Sequence, residues 1–219
     1  MFNRKIIFHF GSGVALVAAL WLVRYCYTGS PVYFFLLWNL FLAFIPYGIS
    51  QYTLQRCSVP LTKPFQLWKV GLLFTLWLLF FPNAPYVITD LIHLSERHGV
   101  PKWYDVSLLF CAGTTGLWIG FISLLQMEAV WRQKMPAIHI NFFVGCTLLL
   151  SGFGIYLGRV LRFNSWDVVA NPLSLSSAIG HRVLLPWQYL QTWGITLLFA
   201  ALLWIGYRQA KLFLHPVTF

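Results

Sequence analysis

Six apolar stretches, near residues 6–23, 32–50, 65–81, 104–127, 138–158 and 186–207, leave this chain few ways to fold. Each is close to the roughly 20 residues a helix needs to cross a bilayer. Barrel strands would be about half as long and would alternate in polarity. The connections are too short and too apolar to build a soluble core, and only 9% of residues are charged, against about 25% in soluble domains. The expected fold is all-α: an integral membrane bundle of six transmembrane helices, with short interfacial helices in the outer loops. It is read as a single polytopic domain over residues 1–219. The first stretch follows Arg4 and Lys5, as a signal-peptide core would. It exceeds the usual length of about 7–15 residues and lacks an A-x-A site, so it reads as an uncleaved span.

Six spans put both termini on one side. Nine of the fifteen Lys and Arg fall on that side and six on the other. The positive-inside bias therefore predicts cytoplasmic termini. Four of the five acids, Asp90, Glu96, Asp105 and Asp167, fall on the outer side, and Glu128 falls inside. The net charge of +10 then reflects topology and contact with anionic lipid rather than nucleic-acid binding. Cys26, Cys57, Cys111 and Cys146 are scattered without a C-x-x-C pair, which suggests neither a disulfide framework nor a zinc site.

Two polar strings interrupt this pattern, each where an apolar stretch ends. The first covers residues 80–94. Phe81 and Ala84 each precede a proline, which pushes both out of the helical region and should end the third span at Pro82–Pro85. Asn83 suits the cap of a new helix. Beyond it, Tyr86, Asp90, His93 and Arg97 recur at helical spacing on one face, beside an apolar stripe of Val87, Leu91 and Leu94. That pattern predicts a short amphipathic helix lying at the outer interface. Asp90 and His93, three apart, admit three readings. The carboxylate can fix an imidazole tautomer for acid–base chemistry. The pair can be half of a metal site of unspecified metal. Or it can be a buried network that locks the loop.

The second string covers residues 151–167. Arg159 and Arg162 end the fifth span on adjoining faces, and Asn164 can take a left-handed cap position in the turn that leads to Asp167. A paired arginine fork suits a phosphate or carboxylate, such as an anionic lipid headgroup or a lipid-linked ligand. The competing reading pairs Arg162 with Asp167, and Arg159 with Asp90 or Asp105. Asp105 opens the fourth span. In a compact bundle, Asn83, Asp90, His93, Asp105, Arg159, Arg162, Asn164 and Asp167 would converge on one outward pocket, with residues 172–185 lying on the membrane as a lid. Asp90, His93 and Asp167 are then the candidate catalytic residues. Arg159, Arg162, Asn83, Asn164 and Asp105 are the candidate substrate-binding residues.

Within the spans, Asn39 should face the bundle and find an interhelical partner. Pro46 should kink the second span near its inner end. Gly116–Gly120 and Gly154–Gly158 fit G-x-x-x-G and predict that the fourth and fifth spans pack together. Most of the eleven tryptophans read as interfacial anchors. No span carries an acid or base near its centre, and no internal repeat appears, both of which count against an inverted-repeat transporter.

The run 38–47, the Pro-Asn-Ala-Pro-Tyr…Thr-Asp-Leu-x-His string and the Gly-Arg-x-x-Arg-x-Asn-Ser-Trp-Asp string resemble bacterial membrane proteins grouped as domain of unknown function 1361. The resemblance spans roughly residues 30–210. It implies a multi-pass protein of the bacterial plasma membrane. It assigns no activity, no cofactor and no catalytic residue. Three functions stay open: an outer-face enzyme acting on a lipid-type or anionic envelope substrate; a small-solute transporter, for which a homodimer is one arrangement; and a non-catalytic assembly or regulatory partner.

Overall fold

The computed structural model describes residues 4–57, 64–94, 99–133 and 136–214. Among these residues the chain is helical apart from short turns and contains no strand. It divides into two compact units, Met1–Gln133 and Lys134–Phe219. Five stretches are long and apolar enough to cross a membrane: Phe10–Thr28, Trp68–His93, Lys102–Arg132, Ile138–Arg159 and Leu190–Phe213.

The first unit contains α1 (Arg4–Thr28), α2 (Phe35–Cys57), α3 (Pro64–Phe80), α4 (Asn83–Tyr86), a 3-10 helix (Val87–His93) and α5 (Lys102–Arg132). α5 is the hub, packing against α1, α2, α4 and the 3-10 helix. α2 is 23 residues long but is not among the five apolar stretches. Its second half carries Ser50, Gln51 and Thr53, all buried against the rest of the unit rather than turned outward. Those inward polar groups lower its average hydropathy without exposing a polar face. The helix runs through Pro46 without interruption.

The path after α3 departs from the sequence expectation. α3 has 17 residues, so it is only about 25 Å long at 1.5 Å per residue, short of a hydrocarbon core of about 30 Å. The chain does not turn out onto the surface at Pro82. It resumes as α4 and the 3-10 helix, which lie along the middle of α5. Glycines of α5 make the room. A Cβ on Gly120 would lie 3.1 Å from the Ala84 Cβ, and one on Gly116 would lie 2.8 Å from the Ala84 carbonyl oxygen. One on Gly113 would lie 3.0 Å from the Ile88 Cα. The first polar string is therefore the second half of a broken span, and it packs on the glycine face of α5.

Asn83 also acts otherwise than anticipated. It does not cap α4, whose N-cap is Pro82; its Nδ2 donates to the Phe80 carbonyl at 2.9 Å and closes the end of α3. A proline removes a backbone donor from the helix end, and the amide supplies a replacement. The seven residues of 3-10 helix form a long run for that conformation, which rarely exceeds 3–4 residues. Its period of three keeps Val87, Asp90 and His93 on one face and removes Tyr86 from it. Arg97 lies outside the described residues.

The second unit contains α6 (Ala137–Arg159), α7 (Asp167–Ala170), α8 (Pro172–Leu184), a 3-10 turn (Pro186–Gln188) and α9 (Leu190–Leu214). α6 and α9 run antiparallel. Gly145 faces Trp204, and Gly152 faces Thr196 and Ala200. At Gly152 the approach is so close that a Cβ would lie 2.5 Å from the Thr196 carbonyl oxygen. The small residues of α6 thus serve its contact with α9.

Candidate functional site

In the first unit, the Thr28 end of α1, the start of α2, the 3-10 helix and the start of α5 bring a set of polar groups together. Asp90 is 1% exposed, and its Oδ2 accepts a hydrogen bond from Asn39 Nδ2 at 2.8 Å. This is the interhelical partner expected for Asn39. One 3-10 turn further, His93 is exposed. Three residues at a rise of about 2.0 Å put the two side chains roughly 6 Å apart along the axis and eclipsed. The pair thus spans the boundary between the buried interior and the rim. The His93 ring meets Phe35 edge-on at 5.5 Å, and its carbonyl accepts from the Tyr33 hydroxyl at 3.5 Å.

Asp105 does open α5, but its carboxylate is already taken up within the first unit. It is bound by Arg24, with Nε on Oδ1 at 2.7 Å and Nη2 on Oδ2 at 3.3 Å. Both side chains are 3% exposed. A paired and hydrogen-bonded charge is the form in which such groups are tolerated away from water. The Arg24 guanidinium also lies 5.0 Å above the Tyr33 ring. Tyr33 itself has a left-handed backbone, φ 68°, and is 1% exposed. That conformation costs a non-glycine residue about 1–2 kcal/mol, and the surrounding packing holds it.

A second polar group of the first unit has no counterpart in the sequence reading. Trp77 Nε1 donates to Ser123 Oγ at 2.7 Å, Ser123 and Ser50 hydroxyls lie 3.0 Å apart, and Ser50 Oγ donates to Gln126 Oε1 at 2.8 Å. Gln126 Nε2 then donates to Gln51 Oε1. All five residues are buried, so Trp77 is a core donor and not an interfacial anchor. Nearby on α5, Glu128 is 2% exposed and pairs with Arg132 at 2.6 Å. Asp90 and Glu128 thus both lie inside candidate spans, near the ends of Trp68–His93 and Lys102–Arg132 rather than near their centres.

In the second unit, the string after α6 folds on itself. Arg162, not Asn164, takes the left-handed position, with φ 62°. Its side chain is exposed and makes no ion pair among the described residues, so the expected Arg162–Asp167 bridge is absent. Asp167 instead closes the turn: Oδ2 accepts from the Asn164 backbone N–H at 2.6 Å and Oδ1 from Asn171 Nδ2 at 3.0 Å. These hydrogen bonds favour the charged form, the Asn164 backbone donor most of all, and hold the carboxyl below its usual range. Arg159, at the end of α6, is half-buried. Arg182 of α8 is engaged on several sides. Its Nε donates to the Tyr156 hydroxyl at 3.3 Å, its guanidinium lies 4.8 Å above the Tyr189 ring, and its carbonyl accepts from Trp193 Nε1 at 3.2 Å. Arg182 thereby latches α8 to both long helices of the unit.

Residues 38–205 match the family described as "Protein of unknown function (DUF1361)". The chain belongs to that family. Comparison with curated proteins and with solved structures gives no match. The DUF1361 region takes in Asn39, the broken span with Asp90 and His93, Asp105 and the Arg159–Asp167 turn, while Arg24 and Tyr33 precede it. Among the described residues of this DUF1361 protein, no three His, Cys, Asp or Glu side chains form a group able to hold a metal ion.

Sequence reasoning missed Arg24, Tyr33 and Arg182. Arg24, one of the six Lys and Arg assigned to the outer side, falls inside the long α1. A lone cation near the end of an apolar helix is the signal that could have singled it out, because it demands a buried partner. Nothing in the local sequence marks the left-handed Tyr33.

Proposed function

We propose that this protein spans the bacterial inner membrane six times with both termini in the cytoplasm, and that Asp90 and His93 form an acid–base pair at its outer face. The substrate on this reading is a lipid-type or anionic envelope molecule. The observation that carries it is the placement of a carboxylate buried at 1% exposure one 3-10 turn below an exposed imidazole. Asn39 fixes the carboxylate, and the imidazole reaches a molecule arriving from lipid or water. The exposed Ile92 beside His93 suits an apolar substrate tail. The length of α2 supports the sixth span. In the second unit, α8 contains no buried residue, and the segment carrying it joins one end of α6 to the adjacent end of α9. That supports an interfacial helix, with Arg159 and Arg162 facing anionic headgroups.

The test is turnover. The purified protein is placed in liposomes of bacterial polar lipid extract, and the lipids are followed by mass spectrometry beside Asp90→Asn and His93→Gln variants. A lipid species that the parent protein converts and both variants leave unchanged supports the reading. No lipid change by the parent protein, or equal change by all three, defeats it. Sidedness is checked separately at Cys26, which is exposed. An impermeant maleimide added to intact spheroplasts should label it.

A second reading is favoured by the broken span. Irregular backbone at membrane depth is tolerated where it is buried or lines a cavity, and transporters place ion sites at such breaks. Asp90 would then be the coupling acid of a small-solute transporter. Proton uptake into proteoliposomes that Asp90→Asn abolishes, without any lipid turnover, would favour this reading over the first.

A further inference from the structure

Two N–H donors on α1 are buried without a hydrogen-bond partner: Trp21 Nε1 and Arg24 Nη1. Residues three apart on a helix share a face, so both donors lie on the same side of α1. One short loop covers them. Tyr33 packs on the Arg24 guanidinium, and Phe34 packs on the Trp21 ring at 5.2 Å. Tyr25 also stacks on that ring, at 5.4 Å. Buried donors in folded proteins are nearly always paired, so two unpaired ones on one helix face call for an acceptor.

Charge decides what kind of acceptor fits. The guanidinium is already matched by the Asp105 carboxylate. A further full anion would bring an uncompensated charge into a place of low dielectric, where the desolvation penalty is high. A neutral carbonyl oxygen needs only the donors. Its two lone pairs can accept one N–H each.

Position decides where such an oxygen comes from. Trp21 and Arg24 lie seven and four residues before Thr28, the end of α1. That is roughly 10 Å and 6 Å down the helix. In a membrane-spanning helix this is the boundary of the hydrocarbon core, where the glycerol ester groups of lipids reside. The neighbouring Leu22 and Val23 are 53% and 59% exposed on a candidate span, a surface for acyl chains. Phe34 is itself 54% exposed.

We infer that Trp21 and Arg24 form a binding site for the ester carbonyl of a membrane lipid, with Phe34 as its movable cover. The site stands independently of the acid–base reading, since neither Asp90 nor His93 takes part.

The test swaps the acceptor and keeps the headgroup. Protein labelled with ¹⁵N-tryptophan is placed in nanodiscs of diester phosphatidylglycerol and, separately, of the dialkyl ether analogue with the same chains. Trp21→Phe identifies the Trp21 indole signal. The substitution keeps a ring in contact range of Tyr25 and Phe34 and removes an unsatisfied donor, so the fold should survive it. In ester lipid the Trp21 N–H should resonate downfield, as a hydrogen-bonded indole, and it should move upfield in ether lipid. In native mass spectrometry from an equal mixture, the parent protein should retain the ester lipid in several-fold excess, and Trp21→Phe should abolish that excess. An indole signal that ignores the lipid swap would assign the donors to water and overturn the proposal. Equal retention of the two lipids by the parent protein would overturn it as well.

Discussion

Gly116 is the position at which packing, backbone conformation and the candidate site meet. A Cβ there would lie 2.8 Å from the Ala84 carbonyl oxygen, 2.9 Å from the Val87 Cβ and 3.0 Å from its Cγ2. None of these is the end of a flexible side chain, so Gly116→Ala must push α4 and the 3-10 helix away from α5. Overpacking of this kind costs about 1–3 kcal/mol. Against it stands the helix preference for alanine over glycine, about 1 kcal/mol. The net effect should be a loss of roughly 0–2 kcal/mol. Gly48 in α2 and Gly71 in α3 are the internal standards, because a Cβ at either meets nothing within 4 Å. There the same change should stabilise by up to about 1 kcal/mol. The gap between Gly116→Ala and the two standards should therefore equal the overpacking cost, about 1–3 kcal/mol. Tryptophan fluorescence during unfolding by a denaturing detergent measures it in one titration series. If Gly116→Ala were as stable as Gly48→Ala, the broken span would not lie on α5 as described, and Asp90 would lose the support that positions it.

Three further predictions follow from the same geometry. Replacing Arg24 or Asp105 alone by leucine should destabilise by about 3–5 kcal/mol, because each strands a buried charge, whereas the double replacement should recover much of that loss in the same unfolding titration. Asp167 has a folded-state pKa below its unfolded value of about 3.9. The stability it contributes is therefore present above that unfolded value and is lost as pH falls through the folded one. Proteolysis of the 160–171 turn should accelerate only below about pH 4, and Asp167→Asn should remove that acid step. Trp77→Phe deletes the donor that ends the Ser123–Ser50–Gln126 network, and it should cost about 1 kcal/mol in detergent unfolding.

Composition and apolar run lengths were sufficient for an all-helical membrane protein, because the bilayer accepts few other solutions for a chain with so few charges. The sequence also located the proline break, the inward Asn39 and the two polar strings, since each is written in residues with strong local preferences. What it could not decide was where those strings go. The helical spacing of Tyr86, Asp90 and His93 looked like an interfacial helix. Glycines some thirty residues later in α5 instead opened a channel for the backbone and drew the string into the bundle as 3-10 helix. Likewise, the sequence presented Asp105 and Arg24 as separate charges at different span ends. Only the packing of α1 on α5 made them a pair. Local preference is set by a residue and its near neighbours, whereas burial and ion pairing are set by whichever surface arrives from elsewhere in the chain. That is why the long apolar helices could be read in advance, and why the partners of their polar groups had to come from the tertiary structure.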